Sequence, residues 1–241
     1  TAHIWRTLRE NIKAAAREYY RDQLSEDPRN IEMIVRMGYL CVDSATSCSV
    51  GTTRAAAVLL QRAANYGYEG DGAFWSTLAN QHLKAYKQGG LRSERAFLVK
   101  ARSAWDVALN HVEVATKIEN HVAYAETALY LGNIDRALQA YESIMKNFPA
   151  SKHVSTCRMK AAMLRSTKNE HKECINYLHE AIKLKEHSPY TKSQVMMIIS
   201  QVHGHWGELL NDKFQRKLSK ETYDRAYEIC ETKEQTKNSK S

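Results

Sequence analysis

Between residues 121 and 149, apolar and small residues recur at helical spacing on both sides of Gly132-Asn133, a pair that stops one helix and restarts another. Beyond that pair, Ala137, Tyr141, Ile144 and Pro149 mark a second helix and its end. The same order of small, large and small residues returns along the chain: Ala16 and Tyr20 with Pro28, then Ala56-Leu60-Ala63, Ala101-Trp105-Ala108, Cys174-Leu178-Ala181 and Ser219-Tyr223-Ala226. The leading small residues stand at 16, 56, 101, 137, 174 and 219, with gaps of 40, 45, 36, 37 and 45. A small residue lets two antiparallel helices approach, a larger one a turn later fills the wedge beside them, and a proline past the helix ends it. The spacing predicts an opening helix over 3–24 and pairs at 31–44/53–66, 72–87/92–110, 113–131/134–147, 152–167/171–185 and 190–210/214–231.

The first helix of each pair carries its own mark. Ile34-x2-Met37-Gly38-x2-Cys41, Trp75-x2-Leu78-Ala79-x2-His82 and His203-x2-Trp206-Gly207-x2-Leu210 share one shape, and Ala125 and Ala162 hold the small place in the two pairs between. Gly207 lies twelve residues ahead of Ser219. Gly89–Ser93 and Ser44–Thr53 read as polar, loop-like insertions.

These marks resemble those of the tetratricopeptide repeat, whose first helix reads W-x2-L-G-x2-Y and whose period is about 34 residues. Twelve residues is the family's offset between the small places of its two helices, so the resemblance implies that Gly207 and Ser219 meet; no single repeat matches fully. The resemblance implies an all-α fold, a right-handed α-solenoid of antiparallel helix pairs, with one repeat domain over 1–232 and a polar, frayed tail over 233–241. It further implies that the first helices line a concave protein-binding face, carrying Val35, Tyr39, Val42, Asn80, Leu83, Lys84, Val122, Glu126, Leu129, Tyr130, Met159 and Met163. Some members of the family grip a chaperone's C-terminal carboxylate with Lys, Asn and Arg at such places. Here most are Val, Tyr, Met and Glu, so that activity is not expected, and an apolar helix or extended segment of a partner suits the face better. The competing expectation is that these residues pack against neighbouring helices. Asp135–Glu142 and Thr222–Glu228 also resemble the second helix of half-a-tetratricopeptide repeats, which implies as an alternative a scaffold of an RNA-processing or ribonucleoprotein complex. Lys152, Arg158, Lys160, Arg165, Lys168 and Lys172 would then form a basic patch on phosphate.

Composition narrows the field. The chain holds 10 Gly and 3 Pro, too few for the many turns of a sheet protein. Its net charge of +8 permits an acidic partner, yet 151–192 sums to +5 and 118–150 to −2, a mild patch without interleaved aromatics for base stacking. Five cysteines, 41, 48, 157, 174 and 230, are odd in number and scattered, which favours a reducing, intracellular and most simply cytoplasmic compartment. No membrane insertion is expected, because no window holds about 18 apolar residues. The opening Thr1-Ala-His-Ile-Trp5 lacks both a signal-peptide layout and an initiator Met, so a fragment or processed chain is expected.

Ten histidines raise the question of a metal. On a helix, His203 and His205 point about 200° apart and do not share an ion, and His171, Cys174 and His179 have no second ligand at i+4. Cys41-x6-Cys48 has neither zinc-finger nor thioredoxin spacing, and Cys41 and Cys174 read as small buried hydrophobes. Gly67, Gly70 and Gly72 do not form a phosphate loop, and no nucleophile elbow is present. The expectation is therefore no enzyme, no cofactor, no metal and no small-molecule substrate, but a scaffold with protein partners, nucleic acid standing second.

Overall fold

The computed structural model describes residues 2–44, 50–89, 94–183 and 189–238. All regular structure among them is helical: α1 (Ala2–Glu26), α2 (Ile31–Ser44), α3 (Val50–Asn65), α4 (Gly72–Gln88), α5 (Arg95–Ala108), α6 (Val112–Ala115), α7 (Ile118–Tyr130), α8 (Ile134–Asn147), α9 (His153–Thr167), α10 (His171–Lys183), α11 (Pro189–Leu209) and α12 (Lys213–Asn238). The chain forms two compact units, Thr1–Gly132 and Asn133–Ser241. In the first, α1 through α5 each pack on the next helix, and α7 lies against α4 and α5; in the second, α8 through α12 do the same in order. Contact with chain neighbours is the rule of a repeat stack, in which one helix pair covers the apolar face of the last.

The turns follow from residues that tolerate left-handed backbone. Gly132, at φ 77°, ends α7, and the Asn133 side chain then accepts from the Arg136 N–H to cap α8. The sequence reading placed that turn correctly. The turns at Asn169 (φ 60°) and Asn211 (φ 52°) use asparagine for the same purpose, since its short polar side chain makes positive φ tolerable. At α4 the Asp71 carboxylate accepts from the Phe74 N–H at 2.8 Å.

The repeat pattern marks the interior. Ala56, Leu60, Ala63, Ala101, Trp105, Ala108, Ala137, Tyr141, Ile144, Cys174, Leu178 and Ala181 are all 0–1% exposed. The first-helix residues Ala79, Ala125 and Ala162 are at 0%. At Gly38 a Cβ would stand 2.7 Å from Leu60 Cδ2, so the glycine admits the leucine as a wedge. The first unit's core gathers Ile34, Leu60, Phe74, Leu78 and Trp105; the second's gathers Leu178, Val195, Ile199 and Val202 around Ala162 and Cys174.

Three expectations need correction. The single helix over 113–131 is broken into α6 and α7, because the side chains of Asn120 and His121 bond the carbonyls of Val114 (3.0 Å) and Ala115 (2.7 Å) and close α6 early. The loop over Ser44–Thr53 is partly helix: α2 runs through Ser44, α3 starts at Val50, and Thr53 is buried; 45–49, with Cys48, lie outside the described residues, as do 90–93 of the second insertion.

Gly207 does not face Ser219. A Cβ on Gly207 would meet Arg216 N at 2.9 Å and Asp212 O at 3.1 Å, at the turn, while Ser219 lies opposite Ser200 and Gly204. Here α11 and α12 are joined by reciprocal bonds: Ser200 Oγ donates to Ser219 O, Ser219 Oγ to Ser200 O, and Ser193 Oγ to Ala226 O, each at 2.8 Å. Ser193, Ser200 and Gly207 recur every seven residues, as do Ser219 and Ala226. This small-residue seam sets the register of the pair, and Tyr223 is left 51% exposed.

Candidate functional site

In the first unit the first-helix face is built by α2, α4 and α7. Val35 and Leu83 are buried in the cores, which leaves them no surface for a partner. Tyr39 and Val42 pack partly against the core, and burial, with Asp71 nearby, pushes the Tyr39 hydroxyl's pKa up. Asn80, Val122, Glu126 and Leu129 are half-buried, whereas Lys84 and Tyr130 are exposed. Where α4 and α7 meet, Lys87 pairs with Glu126 at 2.5 Å and stands 5.6 Å from the Tyr130 ring centre. The Tyr86 and Tyr130 rings lie 5.5 Å apart. The result is a small aromatic shelf with one ion pair at its edge. Tyr86 and Lys87 escaped the sequence reading, because they lie one turn past the places that the repeat register marks as inward-facing.

A cleft of about 680 Å³ opens beside this face, lined by Trp5, Arg9, Glu10 and Lys13 of α1, Val42 and Asp43 of α2, and Lys84 of α4. Lys13 donates to the Asp43 carbonyl at 3.2 Å, satisfying an orphan acceptor at the end of α2, and lies 3.9 Å from Glu10. Thus Val42 and Lys84, expected on the inner face, share one cleft with α1 residues that were not. The available signal was the stripe Trp5, Leu8, Ile12 and Tyr19, spaced as a helix face. All four remain exposed.

In the second unit Met159 packs partly on the core and Met163 is 57% exposed. The six candidate basic residues do not form an open patch. Arg165 bonds Glu142 and Glu170 at 2.5 Å each, Lys168 pairs with Asp135 at 2.8 Å, Arg158 donates to the Glu180 carbonyl at 3.1 Å, and Lys160 stands over the Tyr141 ring at 5.8 Å. Lys152 and Lys172 are exposed. Tyr177 also donates to Glu142, at 2.9 Å. The bond to Glu142 raises the Arg165 pKa, and that to Arg165 lowers Glu170. A second cleft, about 500 Å³, is lined by Glu142, Met145, Lys146, Arg158, Arg165, Tyr177 and Glu180.

The buried histidines and cysteines are packed rather than poised. His82 is 1% exposed, its Nε2 3.0 Å from Gln61 Oε1, and burial, with Lys100 nearby, pulls its pKa down to about 4. His171 is buried against His205 and Trp206, and burial lowers it too. Cys41, Cys157 and Cys174 are buried thiols; burial raises Cys41, and Cys174 to about 11, so neither of these two is a thiolate at neutral pH. Among the described residues no group of three or more His, Cys, Asp or Glu is placed to hold a metal, and no helix is long and apolar enough to cross a membrane.

No protein-family model matches the chain, and no curated protein matches it in sequence. Solved structures do match in fold. The C-terminal part of a TPR repeat-containing protein from Cytophaga hutchinsonii is 13% identical, with a TM-score of 0.59 over 93% of this chain and 76% of that one. YrrB, described as a TPR protein with an unusual peptide-binding site, is 17% identical, with a TM-score of 0.54 over 76% of this chain and 82% of its own. MamA from Desulfovibrio magneticus RS-1 is 11% identical, with a TM-score of 0.56 over 84% of this chain and 96% of its own. At such identities the likeness is one of fold, and the fold is that of the tetratricopeptide-repeat proteins: an all-helical solenoid of helix pairs.

Proposed function

We propose that the chain is a non-catalytic protein-interaction scaffold, acting inside the cell as one repeat domain over 1–232, whose first-helix face holds a segment of a partner or joins a larger assembly. The observation that carries this reading is the shelf where α4 and α7 meet. The Tyr86 and Tyr130 rings meet there at a tilt of 50°, and Tyr130 is 46% exposed beside the Lys87–Glu126 pair. A tyrosine held by a neighbouring ring and an ion pair offers contact area with little conformational freedom left to lose, which is what an interaction hot spot requires. On the second unit Met163 of α9 is exposed as well, and is an adaptable contact in its own right. The peptide-binding description of YrrB, a neighbour in fold, agrees with this reading. The engagement of Arg158, Lys160, Arg165 and Lys168 inside the second unit removes the main attraction of the ribonucleoprotein alternative.

The test is a pull-down with Tyr130→Glu and Met163→Glu combined. Both side chains are exposed, so far-UV circular dichroism is expected to stay unchanged while partner recovery is lost. Undiminished recovery would show that this face is not the binding surface.

A further inference from the structure

The cleft beneath α1 carries cationic side chains that the fold itself does not use. Lys13 is 12% exposed at its side chain and ties α1 to the end of α2 through the Asp43 carbonyl, so the wall of the cleft is fixed. Arg9 and Lys84 line the same space from α1 and α4, are exposed, and have no carboxylate partner among the described residues. The Trp5 indole stands on the rim at 69% exposure, with half-buried Val42 as the other apolar surface. The volume, about 680 Å³, lies in the range of clefts that take a ligand or a few peptide side chains.

We infer that this cleft binds an acidic, extended peptide segment of a partner protein, its carboxylates pairing with Arg9 and Lys84 while an adjacent apolar side chain lies against Trp5 and Val42. The inference rests on the protein-scaffold reading and gives it a second surface with a defined partner chemistry. Charge complementarity selects the acidic side chain: two open cations flank the cleft, and a carboxylate forms charge-assisted bonds to both types. Glu10 and Asp43 select against nucleic acid, because a phosphate backbone presents negative charge at every step and would meet both carboxylates. A peptide meets them with neutral residues. Trp5 supplies the apolar contact that a surface ion pair lacks, since exposed pairs by themselves contribute little.

The experiment uses the whole 241-residue chain. A fluorescein-labelled twelve-residue peptide of alternating Glu and Leu is titrated by anisotropy against its Gln–Leu counterpart, with a single-stranded RNA oligonucleotide as a third probe. The Glu peptide is expected to bind, and the Gln peptide to bind roughly tenfold more weakly. Arg9→Glu with Lys84→Glu should abolish the preference for Glu over Gln with helicity unchanged. Trp5→Ala should weaken both peptides and preserve the preference. Because two cations take part, affinity for the Glu peptide should fall only gently with salt, far less than for a protein neutralising six to ten phosphates.

Equal binding of the two peptides, or a preference untouched by the Arg9/Lys84 reversal, overturns the inference. So does RNA bound more tightly than the Glu peptide. These outcomes are separate from the fate of the α4–α7 face. Partner capture that is lost in the Tyr130/Met163 variant, alongside a failed Glu preference, would sink the cleft and leave the scaffold reading standing.

Discussion

The cleft under α1 and the cleft between α8, α9 and α10 are lined by the same kinds of charge, three cations and two carboxylates in each. They differ in partnering. In the second unit both carboxylates are held by arginines, Glu142 by Arg165 at 2.5 Å and Glu180 by Arg158 at 3.8 Å, and Tyr177 adds a bond to Glu142. In the first unit one lysine is tied to the backbone, and Arg9 and Lys84 are open. Similar inventories thus produce a structural clamp in one place and a receptive surface in the other. Charges already engaged within the fold have little left to give a partner, because displacing an internal bond costs about what the new one supplies.

The largest test of this contrast lies in the core that carries the receptive cleft. Trp105 is fully buried in α5, in the same core cluster that holds residues of α2 and α4. Trp105→Ala is expected to lower stability by about 3–5 kcal/mol and to remove binding at the α1 cleft with it. Chemical denaturation followed by circular dichroism measures the first, and the peptide titration the second. A cleft that survived intact would show that α1 and α2 hold it without the core.

Acid gives a graded version of the same test. His82 stands two residues before Lys84 on α4, and its neutral form donates from Nε2 to Gln61, leaving Nδ1 buried without an acceptor for a second proton. Its folded pKa of about 4 lies below the unfolded value of 6.5. The unfolded chain therefore binds the proton first, and stability is full above about pH 6.5 and declines as pH falls toward 4, by about 3 kcal/mol from this residue. His171 and His179 are shifted in the same direction by burial, so part of the acid decline belongs to the second unit. His82→Gln should flatten the remainder between pH 6.5 and 4, and an unchanged slope would assign it elsewhere.

Two smaller effects separate clamp from cleft directly. Arg165→Ala leaves Glu142 and Glu170 without their main partner and should cost about 1–3 kcal/mol, whereas Arg9→Ala or Lys84→Ala should stay within about 0.5 kcal/mol of the parent. Equal costs would erase the distinction. Ala137→Leu, in the second unit, should overpack a site with no exposed surface and cost about 1–3 kcal/mol, which checks the repeat register independently of any charge. A neutral result there would count against that register.

How far each feature was legible follows from how local its cause is. The small–large–small pattern named interior residues in the four middle repeats and Ala226 in the last, because a helix packed on both chain neighbours buries one face; at the two ends Ala16, Tyr20 and Ser219 are only half-buried and Tyr223 is exposed. The turn at Gly132-Asn133 was legible for a similar reason, being decided by two adjacent residues. The split between α6 and α7 was not, since it depends on side chains of Asn120 and His121 reaching back six residues to carbonyls. The Gly207–Ser219 pairing failed because counting twelve residues assumes a fixed turn position, and the turn at Asn211 shifts the partner of Ser219 to Ser200. The proposed site was legible only in part: register named Val42, Lys84, Glu126 and Tyr130, but not Trp5, Arg9 and Lys13 of α1, nor Tyr86 and Lys87.

Sequence by itself determined the order of the helices and the face that α3, α5, α8 and α10 bury, since these rest on spacing, small residues and turn chemistry within about one repeat. Only the tertiary structure decided which charges are clamped and which are open. Partnering is a matter of distance between residues far apart in the chain. Arg165 finds Glu142, 23 positions away, whereas Arg9 and Lys84, 75 positions apart, line one cleft and have no carboxylate partner among the described residues.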